Sequence, residues 1–192
     1  MSVFNIVIAG VGGQGVLLTS KIIAESALQH GFDVKQSEVH GMAQRGGSVV
    51  SFVRFGEKVY APMVSEGEAD LLIGFEPVET ARYLHYLKDS GNVIYNTYRM
   101  SSITVSIGAE KYPENIDEII KNHAKHVIPF AGTTLAVEAG DKRALNVVMM
   151  GAAMKYLPFE KNSVLEIIKK TVNKKVVDIN VKAFELGFDS MK

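Results

Sequence analysis

Asn5-Ile6-Val7-Ile8-Ala9-Gly10-Val11-Gly12-Gly13-Gln14-Gly15-Val16-Leu17-Leu18 sets the architecture of the chain. The β-branched run from Val3 to Ala9 reads as a buried strand, and the glycines after it open a helical pattern beginning near Gln14. Glycine suits positions where backbone takes φ > 0 or approaches another group closely, and the free N–H groups of a first helical turn point at whatever sits there. An anion, commonly a phosphate, fits such a place. Gly10, Gly12 and Gly15 satisfy the G-x-G-x-x-G fingerprint, so Gly10, Gly12, Gly13, Gln14 and Gly15 are candidate cofactor-binding residues of a nicotinamide or flavin enzyme. The same residues also fit a packing turn that binds nothing, or a subunit interface.

Downstream, apolar residues recur at helical spacing up to Gly31, and Phe32 to Val39 reads as a second strand. Glu38 then stands about 20 residues past the glycines, where a dinucleotide-binding fold keeps the acid that holds the ribose. Beyond Val39 the dinucleotide pattern breaks. His40-Gly41-Met42-Ala43-Gln44-Arg45-Gly46-Gly47 is a second glycine-rich loop with a cation in it, and the alternating residues from Ser48 to Phe55 predict a strand where a helix would be due. With Gly56-Glu57-Lys58 as a turn, Ser48–Phe55 and Val59-Tyr60-Ala61 read as a β-hairpin. His40, Met42, Gln44, Arg45, Gly46 and Gly47 combine an apolar anchor, a guanidinium and adaptable backbone. That set suits a partner surface or an anionic ligand better than simple chain reversal.

The remainder alternates strands and helices. Leu71 to Phe75 reads as a strand, and Glu76-Pro77 opens a helix through Ala81, Leu84 and Leu87. Asn92 to Tyr95 is a strand, Ile103 to Ile107 an edge-strand candidate, Glu114 to Asn122 a helix and His126 to Phe130 a strand. Thr133 or Thr134 is expected to cap a helix to Gly140, and Asp141 the next, from Arg143 to Tyr156. Ser163 to Thr171 and Lys174 to Phe188 close the chain, with Val177, Val181, Phe184 and Phe188 on one helical face. This order predicts a three-layer α/β/α sandwich around a mixed, mostly parallel sheet, in a single domain spanning 1–192.

Composition narrows the chemistry. Lysine plus arginine equals aspartate plus glutamate at 21 each, so no global field recruits nucleic acid or an anionic membrane. No run reaches ~18 apolar residues and no basic, apolar leader opens the chain, so the cytoplasm is the expected compartment. There is no cysteine, which excludes disulfides, cysteine-ligated zinc, a cysteine nucleophile and a cysteine-held iron–sulfur cluster within this chain. His123 and His126 lack a carboxylate to complete a metal site. Met149, Met150 and Met154, beside Gly151, Ala152 and Ala153, read as close-packed core. Tyr83, His85 and Tyr86 read as a half-buried face, since basic residues do not cluster with them.

Taken as a set, Gly10–Val16, Arg45-Gly46-Gly47, Glu68-Ala69-Asp70, Phe75–Arg82 and Arg143–Ala152 resemble the gamma domain of 2-oxoacid:ferredoxin oxidoreductases along nearly the whole chain. Ser37–Gly47, Asn96-Thr97-Tyr98-Arg99 and Glu110-Lys111-Tyr112-Pro113 narrow the likeness to the small (beta) subunits of the indolepyruvate branch. The resemblance implies a complex that decarboxylates an aryl 2-oxoacid on thiamine diphosphate with magnesium. Electrons pass through iron–sulfur clusters to ferredoxin, and coenzyme A is the co-substrate. It further implies that these cofactors reside on a large catalytic subunit, the partner of this chain. The cysteine-free sequence agrees, as does the lack of a Gly-Asp-Gly thiamine–magnesium motif, so this chain is expected to be inactive alone. Two alternatives are a stand-alone nucleotide-binding oxidoreductase module using Gly10–Gly15 with Glu38, and a gamma subunit acting on pyruvate or 2-oxoglutarate.

Overall fold

The computed structural model describes residues 2–40, 46–100, 105, 108 and 111–191. The expected Val3–Ala9 strand is β1 (Phe4–Val11), and the glycine turn feeds α1 (Val16–Gln29), with Gly15 at its N-cap in the left-handed region. Next come β2 (Asp33–His40), β3 (Ser48–Gly56), β4 (Ala69–Gly74), the short α2 (Pro77–Arg82) and β5 (Leu87–Asn96). α3 (Ile116–His123), β6 (His126–Phe130), α4 (Gly132–Ala139), α5 (Leu145–Ala153), α6 (Lys161–Thr171) and α7 (Val177–Asp189) complete the order. The expected edge strand at Ile103–Ile107 lies, Val105 apart, outside the described residues.

The six strands run in the order β2-β3-β1-β4-β5-β6. β1, β4, β5 and β6 pair in parallel, whereas β3 is antiparallel to both β1 and β2. The sheet is therefore mixed and mostly parallel, as the sequence predicts. Alternation along the strands divides the core. Ile6 and Ile8 of β1 face α1 and α4–α7, while Val7 and Ala9 face the side covered by α2 and α3. Both faces are buried, which is why the parallel strands read as continuous apolar runs.

Several local expectations give way to pairing constraints. Val59–Ala61 is not a strand, because β3 is already bonded on both edges, Phe4↔Phe55 to Val11↔Ser48 on one side and Asp33↔Gly56 to His40↔Val49 on the other. Instead the Val59 N–H donates to Asp33 Oδ2 at 2.9 Å. The helix from Glu76 does not reach Leu87, since Leu87 is drawn into β5 opposite Ala69. Neither Thr133 nor Thr134 caps α4, which starts at Gly132 with no side-chain cap of its own. Asp141 does cap, accepting from the Arg143 N–H at 2.8 Å.

α5 is buried at every position, in keeping with its all-apolar sequence; Met149 and Met150 are core residues. In its partner α7, Phe184 of the expected Val177/Val181/Phe184/Phe188 stripe is fully buried, Val181 and Phe188 pack half-buried on the same core, and Asn180, Ala183 and Gly187 are buried beside them. Glycines thus enter the contact. A Cβ on Gly151 would fall 2.2 Å from the Phe184 carbonyl oxygen, and one on Gly187 2.1 Å from that of Val148. Helix backbones touch here, and only glycine permits it.

Overpacking against side chains costs about 1–3 kcal/mol, and backbone cannot turn aside as a side chain can. Gly187→Ala is expected to lose at least ~2 kcal/mol in urea denaturation, with Gly151→Ala similar. Val137→Ala, at a side chain 60% exposed, is the control expected near zero.

Candidate functional site

The chain leaves β1 toward one face of the sheet through α1 and leaves β4 toward the other through α2. Adjacent parallel strands with opposite exits form a topological switch point, where α/β folds open a crevice beyond the carboxyl ends of the strands. Here Gln14 spans that crevice. Its Oε1 accepts from the Val11 N–H at 2.7 Å and its Nε2 donates to the Phe75 carbonyl at 3.2 Å. Two of the glycines serve packing as well. A Cβ on Gly10 would lie 2.8 Å from Phe75 Cβ and Val16 Cγ2, and one on Gly15 would lie 2.7 Å from Asn146 Cβ. Gly13 is different: at φ 102° it is exposed, with open space around the position of a Cβ.

The end of the second glycine loop meets the first. The Gly12 N–H donates to the Gly47 carbonyl at 2.8 Å, and the Gly46 N–H donates back to Gly12 at 3.4 Å, continuing the β1–β3 ladder past Val11↔Ser48. Ser48 is fixed in turn by Glu79, whose buried carboxylate accepts its hydroxyl proton at 2.5 Å, and by the Tyr83 hydroxyl at 3.2 Å. Gly41 to Arg45, and the side chain of His40, lie outside the described residues, so the structure does not address the roles of His40, Met42, Gln44 and Arg45.

Two buried side chains at strand ends organise the neighbouring segments. Asn96, fully buried at the end of β5, donates to the Phe75 carbonyl at 3.1 Å and to Thr133 Oγ1 at 3.0 Å. Its Oδ1 accepts the Thr133 N–H at 3.0 Å, supplying α4 with the cap that helix lacks. Glu76, 1% exposed, caps α2 through Oε2, which accepts from Val78 at 2.7 Å and Glu79 at 3.1 Å. Its Oε1 accepts the Met100 N–H at 3.3 Å and the Tyr112 hydroxyl at 2.5 Å. Burial pushes the Glu76 carboxyl above the ordinary carboxylate value, and the hydrogen bonds, that of Tyr112 foremost, pull against it. Burial and the Glu76 carboxylate together raise the Tyr112 phenol.

Between these elements lies a cleft of about 220 Å³ lined by Gly12, Gly13, Gln14, Thr133, Lys142 and Arg143, with Tyr98, Met100 and Leu145 as its apolar wall. Arg143 is held by a two-pronged ion pair with Asp141, from Nε at 2.9 Å and Nη2 at 2.6 Å to Oδ2, which holds the Asp141 carboxyl below its ordinary value. Sequence reading nominated neither Lys142, Arg143 nor Tyr98 for this place. The strings containing Arg143 and Tyr98 carry the family resemblance, but nothing in local periodicity ties them to the glycine turn. Glu38 stands apart. β2 is separated from β1 by β3, so Glu38 lies two strand spacings from β1, roughly 10 Å. A ribose on the glycine turn would need that acid on the adjacent strand.

A family model described as pyruvate ferredoxin/flavodoxin oxidoreductase matches residues 5–190. The chain belongs to this family. It is 43% identical to indolepyruvate oxidoreductase subunit IorB of Pyrococcus horikoshii, over 100% of this chain and 98% of that protein, and it is a subunit of an oxidoreductase. The gamma subunit of a keto/oxoacid ferredoxin oxidoreductase from Geobacter sulfurreducens has the same fold, with a TM-score of 0.73 at 24% identity covering 98% of each chain. The fold also recurs in 2-oxoglutarate:ferredoxin oxidoreductase from Magnetococcus marinus, with a TM-score of 0.77 at 20% identity. All of this oxidoreductase subunit is matched there by 31% of the longer chain.

The sequence offers no thiolate for a cluster, and the described residues hold no group of three His, Asp or Glu placed for a metal ion. No described helix is long and apolar enough to cross a membrane.

With Gln14 across the crevice and Glu38 displaced by β3, NADH titrated into the isolated chain is expected to give no low-micromolar binding by fluorescence or calorimetry. Saturable binding at that level, lost in Glu38→Ala, would restore the dinucleotide reading.

Proposed function

We propose that this protein is the small, non-catalytic subunit of an arylpyruvate:ferredoxin oxidoreductase of the indolepyruvate type. Its partner is a large catalytic subunit that carries thiamine diphosphate, magnesium and iron–sulfur clusters, reduces ferredoxin and releases an acyl-coenzyme A. The full-length identity to a named indolepyruvate oxidoreductase subunit is the observation that carries this reading. The cysteine-free sequence supports it, since one-electron relays need ligands this chain lacks.

The chain's own contribution is positional. The cleft beside Gly12–Gln14 presents Lys142 and Arg143, and α1 begins there with no side-chain cap on its N-terminus. Cations and uncapped helical N–H groups favour the phosphates of coenzyme A. Tyr98 and Met100, 48% and 37% exposed, supply an apolar rim that would exclude water once the partner closes over it. The loop from His40 to Gly47 ends at Gly46 and Gly47, which are bonded to Gly12 beside the cleft. It is read as the contact with the large subunit, Met42 being the apolar anchor and Arg45 the cation. A stand-alone dinucleotide-binding module using Gly10–Gly15 with Glu38 is the weaker reading, since β3 separates Glu38 on β2 from the glycine turn after β1.

Reconstitution tests this. Coenzyme A-dependent reduction of ferredoxin or a viologen dye by arylpyruvates is assayed with each subunit separately and then together. Activity is expected only from the mixture. Turnover by this chain alone would refute the assignment, as would a large subunit whose rate, substrate affinity and coenzyme A dependence are unchanged without it. In the same system Arg45→Ala should leave the isolated fold intact and weaken assembly by ~2 kcal/mol or more, the usual cost of truncating a buried interface arginine.

A further inference from the structure

The Phe75-Glu76-Pro77 string carries family resemblance, yet the proposed function gives it no role. Glu76 is 1% exposed, and a carboxylate is an expensive group to bury. Its two oxygens serve different masters. Among the described residues, Oε2 accepts only from α2, through the N–H groups of Val78 and Glu79. Oε1 accepts only from the segment that leaves β5, through the Met100 N–H and the Tyr112 hydroxyl. A carboxylate has about four acceptor positions, and these four donors fill them. The same segment carries the cleft's apolar wall, Tyr98 and Met100.

A second tie holds these residues from outside. Arg99 binds Asp117 at 3.0 Å and lies 5.3 Å from the Tyr112 ring centroid, and the Tyr95 hydroxyl donates to Asp117 at 2.6 Å. That outer tie is solvent-exposed at Arg99 and Asp117, with 44% and 40% of the side chains accessible, so it is the weaker of the two. The inner one is directional and centred on a buried carboxylate.

We propose that Glu76 is a positioning residue: its carboxylate clasps Met100 and Tyr112 to the end of β4 and thereby sets the Tyr98–Met100 wall against Gly12–Gln14. The isosteric amide separates its two duties. With its carbonyl oxygen turned to α2, Glu76→Gln sets an NH2 against the Met100 N–H, donor against donor; turned the other way, it uncaps α2. One amide cannot satisfy both sides. Tyr112→Phe removes a donor from the clasp and leaves the cap of α2 untouched.

The consequence for catalysis rests on the reading of the cleft as a coenzyme A surface; the clasp itself does not. Two measurements are made on each variant. In the isolated chain, exchange of the Met100 amide is followed by NMR and is expected to accelerate by about tenfold or more in Glu76→Gln, with a smaller change in Tyr112→Phe. In the complex reconstituted with the large subunit, KM for coenzyme A is expected to rise about tenfold while kcat holds, as displacement of a binding wall predicts. Unchanged Met100 exchange in both variants overturns the clasp. Faster exchange with every steady-state constant unchanged overturns its role in positioning. Faster exchange with a change in kcat, or in KM for the arylpyruvate, supports the clasp and counts against coenzyme A as the cleft's ligand.

Discussion

The antiparallel pairing of β3 with β1, from Phe4↔Phe55 to Val11↔Ser48, governs the geometry on both sides of it. β3 occupies the slot that the second parallel strand takes in a dinucleotide-binding sheet. The sheet thereby becomes mixed, Glu38 is moved out by one strand, and the chain enters β3 from the second glycine loop directly beside the first. The bonds between Gly12 and Gly46–Gly47 are the last rungs of that ladder. Register thus joins two glycine-rich segments that the sequence separates by an entire helix and strand.

The same pairing changes what the glycine turn is for. In a nucleotide fold, glycines let backbone approach pyrophosphate. Here Gly10 and Gly15 make room for Phe75, Val16 and Asn146, all from this chain. Gln14 then satisfies the Val11 N–H, a group at the mouth of the crevice that a ligand or water would otherwise have to pair, and joins Asn96 on the Phe75 carbonyl. Two of the three fingerprint glycines therefore serve internal packing, the third, Gly12, pairs with Gly46 and Gly47, and it is Gly13, outside the fingerprint, that faces outward. The pattern is shared with dinucleotide folds because the local demand, a strand turning tightly into a helix, is shared.

Period and punctuation made part of this fold legible in the sequence. β1, α1, β6 and the buried α5 follow from apolar runs and glycine stops, and the layered fold follows from their alternation. The illegible part depends on partners distant in the chain. Val59–Ala61 looks like a returning strand until both edges of β3 are known to be filled. α7 brings Ala183 and Gly187 inward beside Phe184, because Gly151 and Gly187 admit a backbone contact that a helical wheel of large apolar residues does not reveal. Asn96 caps α4 from another strand, so no local Ser, Thr, Asp or Asn announces it. The cleft's cations, Lys142 and Arg143, are brought to the glycine turn only by the packing of α5 against α1, marked by the Thr19 hydroxyl on the Asn146 carbonyl at 2.9 Å.

Two carboxylates at one short helix bear on why such packing is retained. Glu76 and Glu79 are both at most 5% exposed, at the cap and in the first turn of an α2 of six residues. Removing each ion from water costs several kcal/mol even after relaxation, and well-packed apolar residues of similar volume commonly do as well or better for stability. Stability is thus a poor reason for their presence. Geometry is a better one, because an apolar side chain excludes water without fixing direction, whereas each of these oxygens accepts from a particular donor. Glu79, at the place where a capping-box acid would turn back to its own helix, reaches across to Ser48. Glu76 faces the opposite way, to Met100 and Tyr112. Ser48, at the start of β3, and Met100 with Tyr112 are therefore referenced to the same turn of helix. A shift of α2 would carry these three residues together, which is the behaviour a surface needs if it is to meet a partner as one piece.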